Sequence, residues 1–168
     1  MRALIRIYDA LLVLMALIAA GTLVWLMVSV VLSVAMRNVG IQPWAWLFTS
    51  AEYGILYMTM LGAPWLVRER GHVHIELVTA ALSPSLRRVV SRGVAIACVA
   101  VSLILAWYGL ELFLTNVERN DYDVRAYFYP RWMLTITFPI AFSFMAIEFA
   151  RFVFGRELMH SGEAGIHE

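Results

Sequence analysis

Residues 10–36 read ALLVLMALIAAGTLVWLMVSVVLSVAM, running from Ala10 to Met36 as 27 consecutive residues without a charge or a proline. About 20 such residues are enough for a helix to cross the hydrocarbon core of a bilayer. At 1.5 Å per residue the run reaches about 40 Å, so the helix must tilt or project past that core. Arg2 and Arg6 precede it, which raises the question of a signal peptide. A signal core holds only about 7–15 apolar residues. The run is therefore expected to stay in place as a first span.

Three more apolar runs follow, over residues 47–67, 93–115 and 132–154. The chain as a whole is 62% hydrophobic and 15% charged, against about 45–50% and about 25% in an ordinary soluble domain. The expected fold is an all-α integral membrane protein with four transmembrane helices. Residues 1–155 would form a single four-helix membrane domain, and residues 156–168, rich in Gly, Ser and charge, a flexible cytoplasmic tail. That leaves no room for a nucleotide-binding or soluble substrate-binding domain.

The breaks between the runs carry their own signals. Asn38, Gly40 and Pro43 make a turn after the first span, and Trp44 and Trp46 follow at a membrane–water boundary. Ser50, Gly54 and Gly62 lie near one face of the second span, where small residues let another helix approach, from this chain or from a partner. The segment from Arg68 to Glu76 is the most polar in the chain and passes into Leu77-Val78-Thr79-Ala80-Ala81-Leu82. It is too short to span and is expected to lie on the surface as an amphipathic interfacial segment between the second and third helices. Ser83-Pro84 is a helix start signal, with Arg87, Arg88 and Arg92 on the first turns that follow. Residues 116–130 form a polar and aromatic loop, Pro139 is placed to kink the fourth span, and Glu148 and Arg151 can face each other across one turn.

All 13 basic residues are Arg. Nine of them fall in the N-terminal segment, the loop between spans two and three, and the C-terminal segment, and four fall in the other two loops. The positive-inside rule then puts both termini in the cytoplasm, as an even number of spans requires.

The chemistry these residues permit is narrow. Cys98 is the only cysteine, so no disulfide can form within the chain. His72, His74, His160 and His167 all lie outside the apolar runs, which disfavours haem held between spans. His72 and His74 near Glu69 and Glu76 are poorly spaced for a metal, since residues two apart diverge on a helix and on a strand. Glu52, Glu111 and Glu148 sit toward span ends, which suits local ion pairing better than a proton relay. No nucleophile motif or glycine-rich phosphate loop occurs. The chain is therefore read as no enzyme, with no cofactor, no metal and no nucleic-acid partner.

Trp44-Ala45-Trp46 with Glu52, then Gly62-Ala63-Pro64-Trp65-Leu66-Val67-Arg68-Glu69-Arg70-Gly71-His72-Val73-His74-Ile75-Glu76-Leu77-Val78, resembles the small membrane subunit of tripartite ATP-independent periplasmic (TRAP) transporters. Members of that family have a glycine near the end of the second span, an Arg-rich stretch, a Gly-His or Glu-His pair, and a run alternating hydrophobic residues with an acid. Glu76 stands where Asp is common. The sharp part of the resemblance covers about residues 44–92, and topology extends it over most of the chain. It implies a non-catalytic permease subunit in the bacterial inner membrane. Such a subunit braces the scaffold of a large multi-span subunit that imports an organic anion, coupled to sodium or another ion and delivered by a periplasmic binding protein. On this resemblance Glu52, Arg68, Glu69, Arg70, His72, Glu76, Arg87 and Arg88 are the expected contacts with the partner or with phospholipid headgroups. The residues alone leave two alternatives open: the membrane anchor of a respiratory or redox complex, and a stand-alone small transporter or channel.

Overall fold

The computed structural model describes residues 2–69, 84–124 and 128–154. Helix α1 spans Arg2–Asn38, α2 spans Ala45–Arg68, and α3 spans Pro84–Arg119. Strands β1 (Tyr122–Val124) and β2 (Phe128–Pro130) pair antiparallel, with Asp123 opposite Tyr129. Helices α4 (Arg131–Thr135) and α5 (Thr137–Phe154) complete the described chain. The first three expected spans each fall within one helix, the fourth is divided between α4 and α5 at Ile136, and the third helix starts at Pro84 as its sequence signal predicts. The interfacial segment and the tail lie outside the described residues. The β-hairpin is a departure from the expected all-α fold: three-residue strands of aromatic residues look, in sequence, like any interfacial loop.

Among the described residues, three stretches are long and apolar enough to cross a membrane, Ile5–Asn38, Val89–Arg119 and Arg131–Phe154. Helix α2 has the length, 24 residues, but is more polar. The reason is visible in what its polar side chains do. Thr49 and Thr59 donate to carbonyls of their own helix, while Tyr53 and Tyr57 reach other elements.

The helices stand in a row. Helix α1 packs on α2, α2 also on α5, and α5 on α3, so the spatial order is α1, α2, α5, α3, with α1 and α3 at its two ends. The buried side of α1 is Leu12, Met15, Ala19, Thr22, Leu26, Ser29 and Ser33, spaced alternately three and four apart. That is the seam of a left-handed helix pair. Its large apolar residues, among them Leu14, Leu17, Val24, Met27 and Val31, face outward. Helix α3 repeats the arrangement, burying Ser91, Ala95, Ser102 and Asn116 and exposing Val94, Val101, Leu105, Leu112 and Trp107. Small and hydroxylated residues inside with bulky apolar residues outside is the pattern of helices solvated by lipid.

Close approach sets two of these contacts. A Cβ at Gly54 would meet Leu26 Cδ2 at 3.0 Å, and one at Gly62 would meet Ala19 Cβ at 3.5 Å. The small face of α2 is thus used inside the chain, against α1. A Cβ at Gly109 would lie 2.8 Å from Phe138 Cβ and 3.2 Å from the Pro139 nitrogen, so α3 seats against α5 where Pro139 removes a backbone donor. The helix is interrupted just before, at Ile136. Turn residues finish the helices. Gly40 and Asn120 adopt positive φ, 78° and 51°. The amides of Ile41 and Asp121 donate back to Met36 and Asn116, closing α1 and α3 with Schellman motifs.

Candidate functional site

The most concentrated chemistry lies where α2 ends. Glu148 of α5 is 2% exposed. An isolated buried carboxylate is strongly disfavoured, and this one is fully served. Tyr8 Oη of α1 donates to Glu148 Oε1 at 2.7 Å, and Arg151 Nη1 donates to both carboxylate oxygens at 3.2 Å. Arg68 Nε, from the last turn of α2, lies 3.5 Å from Oε1. The Arg68 guanidinium also binds Asp9 Oδ1 of α1 and sits 5.7 Å over the Tyr8 ring. Tyr8 in turn stacks on Phe144 of α5, centroids 5.2 Å apart. Two arginines and two carboxylates sum to zero, so three helices are tied at one end by a neutral set of charges.

Packing holds these groups in place. Leu12, one turn beyond Tyr8, is fully buried. Val67 beside Arg68, and Phe149 beside Glu148, join Ala95 and Phe152 in an apolar cluster against which Cys98 also packs. The corner therefore sits on a dry floor, which strengthens its electrostatics.

The opposite end is built mostly from neutral donors, with the Asp123 carboxylate as one acceptor. Tyr53 Oη donates to Asp123 Oδ2 at 2.8 Å. Tyr57 Oη donates to the Met133 carbonyl at 2.9 Å and lies 3.2 Å from Tyr129 Oη. Asn116 Nδ2 donates to Thr135 Oγ1 at 3.4 Å. Trp25 stacks on Trp46 and donates to Ser50 Oγ at 3.3 Å, and the Arg37 guanidinium lies over Phe48. The tyrosines fasten the hairpin and α4 onto α2, Asn116 ties α3 to α4, and Trp25 and Arg37 tie α1 to the start of α2.

The residues singled out in the sequence divide accordingly. Arg68 is at the centre of the charged corner. Glu69 caps α2 and is exposed, its amide donating to the Trp65 carbonyl. Glu52 is exposed at the opposite end of α2. Arg87 and Arg88 lie on the first turns of α3. Arg70, His72 and Glu76 lie outside the described residues, as do the other three histidines. The expected Glu148–Arg151 pair forms, but Glu148 is buried among protein groups rather than placed near water. Asp9 and Tyr8 went unnoticed in the sequence. The available signal was a phenol and a charge immediately before a long uncharged run, one turn from Leu12.

No curated protein matches the chain. A family model for tripartite ATP-independent periplasmic transporters, DctQ component, matches residues 26–158. That interval holds the last third of α1, α2, α3, the hairpin, α4 and α5. It covers well over half of the sequence, and the chain therefore belongs to the DctQ component family of tripartite ATP-independent periplasmic transporters.

Proposed function

We propose that the chain is the small, non-catalytic permease subunit of a TRAP transporter, bracing the scaffold of the large ion-coupled membrane subunit. The observation that carries this reading is the row of helices with bulky apolar faces at both ends. A row exposes far more apolar surface than a closed bundle of the same helices, and that surface can cover a neighbour's flank as well as meet lipid. A transporter that moves one part past another needs the other part held still. A plate of helices tied at both ends is suited to that. The cargo is then an organic anion, delivered by a periplasmic binding protein and driven by sodium or a similar ion gradient, with recognition residing in the other subunits.

In this reading α2 is the fourth span of an inner-membrane protein. From Trp46 to Arg68 it rises about 33 Å, close to the thickness of the hydrocarbon core. Walled by α1 and α5, it needs less hydropathy than a helix facing lipid. Both termini and the charged corner lie on the cytoplasmic side, and the hairpin on the periplasmic side, as the distribution of arginine supports. Glu52, Glu69, Arg70, His72, Glu76, Arg87 and Arg88 are assigned to the partner or to headgroups. Arg68 is engaged within the chain and positions Glu69 beside them.

The test is affinity purification from native membranes in mild detergent, followed by mass spectrometry. A much larger multi-span protein recovered in near-equal amount is expected. Recovery of this chain alone as a stable homo-oligomer would overturn the proposal. Glu69→Ala is expected to lower recovery of the large protein while leaving the chain's own melting unchanged.

A further inference from the structure

A cavity of about 340 Å³ opens beside the charged corner, in the seam between α1 and α5. It is lined by Ile5, Tyr8, Asp9, Ile147 and Arg151. The volume falls within the range of small-molecule sites, about 300–1,000 Å³. Its wall presents two charges of opposite sign that the corner only partly uses. The Asp9 side chain is 42% exposed and meets Arg68 through Oδ1. The Arg151 side chain is 56% exposed and meets Glu148 through Nη1. Among the described residues, Asp9 Oδ2 and the Nη2 and Nε groups of Arg151 take no part in these bonds, and both side chains line the cavity. The rest of the surface is apolar. Ile147 lies one turn deeper than Arg151, and Ile140, two turns deeper again, continues an exposed strip along α5.

From this arrangement we infer a binding site for a zwitterionic phospholipid with a primary ammonium headgroup. The phosphate takes the Arg151 guanidinium, a planar donor suited to phosphate oxygens. The ammonium, with three N–H donors, takes Asp9 Oδ2. One acyl chain follows Ile147 and Ile140 into the membrane. The alternatives fit less well. A purely anionic headgroup brings its charge against the Asp9 carboxylate, and a choline headgroup has no N–H to donate. The depth is also right, since Arg151 lies in the last turn of α5, where headgroups meet the ends of spans. The site requires that the chain lie in a bilayer but not that it brace a larger subunit, so the two proposals fail separately.

The full chain, purified in mild detergent, is titrated with phosphatidylethanolamine, phosphatidylcholine and phosphatidylglycerol of identical acyl chains and analysed by native mass spectrometry. A single retained phosphatidylethanolamine is expected, favoured about tenfold over either other lipid, the equivalent of one charge-assisted hydrogen bond. Asp9→Asn brings it down to the phosphatidylcholine level. Ile147→Ser, on the exposed wall and away from the charges, lowers retention of phosphatidylethanolamine without changing the melting temperature. Equal retention of the three lipids would overturn the inference, as would preference for phosphatidylglycerol or wild-type retention by both variants. A photo-crosslinker at position 147 that captures the chain's own tail or the large subunit instead of lipid would also overturn it.

Discussion

The two ends of the molecule solve the same problem with different chemistry. At the end of α2, Asp9, Arg68, Glu148 and Arg151 tie α1, α2 and α5 through ion pairs around a carboxylate that is 2% exposed. At its start, Tyr53, Tyr57, Asn116 and Thr135 tie the hairpin and the α3–α5 connection through hydroxyls, an amide, a carbonyl and the single carboxylate of Asp123, with no ion pair among these contacts. Neutral hydrogen bonds contribute modestly and are lost one at a time. A buried ionic set is different. Here Tyr8, Arg68 and Arg151 all converge on one buried carboxylate, so its removal costs all three contacts at once. The charged end should therefore behave as a unit and the neutral end as a sum of parts.

The sharpest way to break this contrast is Glu148→Ala. It removes the group that Arg68 and Arg151 share beside the apolar cluster of Val67, Phe149 and Phe152. Arg68 keeps Asp9 and the Arg151 side chain is 56% exposed, so the expected loss is that of bonds to a buried charged group, about 1.5–3 kcal/mol, read as a fall in melting temperature in detergent. A loss no greater than that of a single neutral hydrogen bond would show that water or lipid headgroups already serve these arginines. Gly109→Ala comes next and concerns the seam between the two ends. A methyl there must displace Phe138 or the backbone of Pro139, an overpacking cost of about 1–3 kcal/mol. It should loosen α3 from α5 without disturbing the Tyr8–Glu148 bond. An unchanged melting temperature would mean that α3 slides freely on α5.

Asp9→Asn is expected to cost about 1 kcal/mol, less than Glu148→Ala in the same corner. Asp9 is 42% exposed, so the solvent screens what it contributes. Equal costs at the two positions would contradict the ranking by burial.

What the sequence shows and what it hides follow the same physics. Span positions were legible because runs such as 10–36 and 93–115 far exceed what a soluble core needs. The start of α3 was legible because Pro84 suits the first turn of a helix. The order of the helices in space was not. The first half of the α1 span is apolar on every side, so no periodicity marks Leu12, Met15 and Ala19 as the buried stripe; only Thr22, Ser29 and Ser33, further along, hint at it. Small residues marked the buried face of α2 only because Gly54 and Gly62 stand among bulky neighbours. The corner was half legible. Glu148 and Arg151 are three apart on one helix, but Asp9 and Arg68 meet across 59 positions of chain, and a single sequence carries no signal for such a pair. The hairpin escaped because its strands are three residues long.

The neutral end gives the smallest expected effects and the most discriminating pattern. Tyr57→Phe removes the donor to the Met133 carbonyl and the contact with Tyr129, at about 1 kcal/mol. Tyr53→Phe removes the bond to Asp123 at a similar cost. The two hydroxyls reach different acceptors, one in α4 and one on the hairpin, although both side chains touch Tyr129. If the acceptors decide, their effects add within about 0.3–0.5 kcal/mol, the margin that independent sites show. A double variant measured by thermal melting decides this. Additivity supports a neutral end built from separable parts, in contrast to the corner around Glu148. A double loss well beyond the sum would mean that Tyr129, whose ring lies 5.0 Å from that of Tyr53 and whose hydroxyl lies 3.2 Å from that of Tyr57, couples the two bonds. The hairpin would then be held to α2 cooperatively, and the difference between the ends would lie in their charge alone.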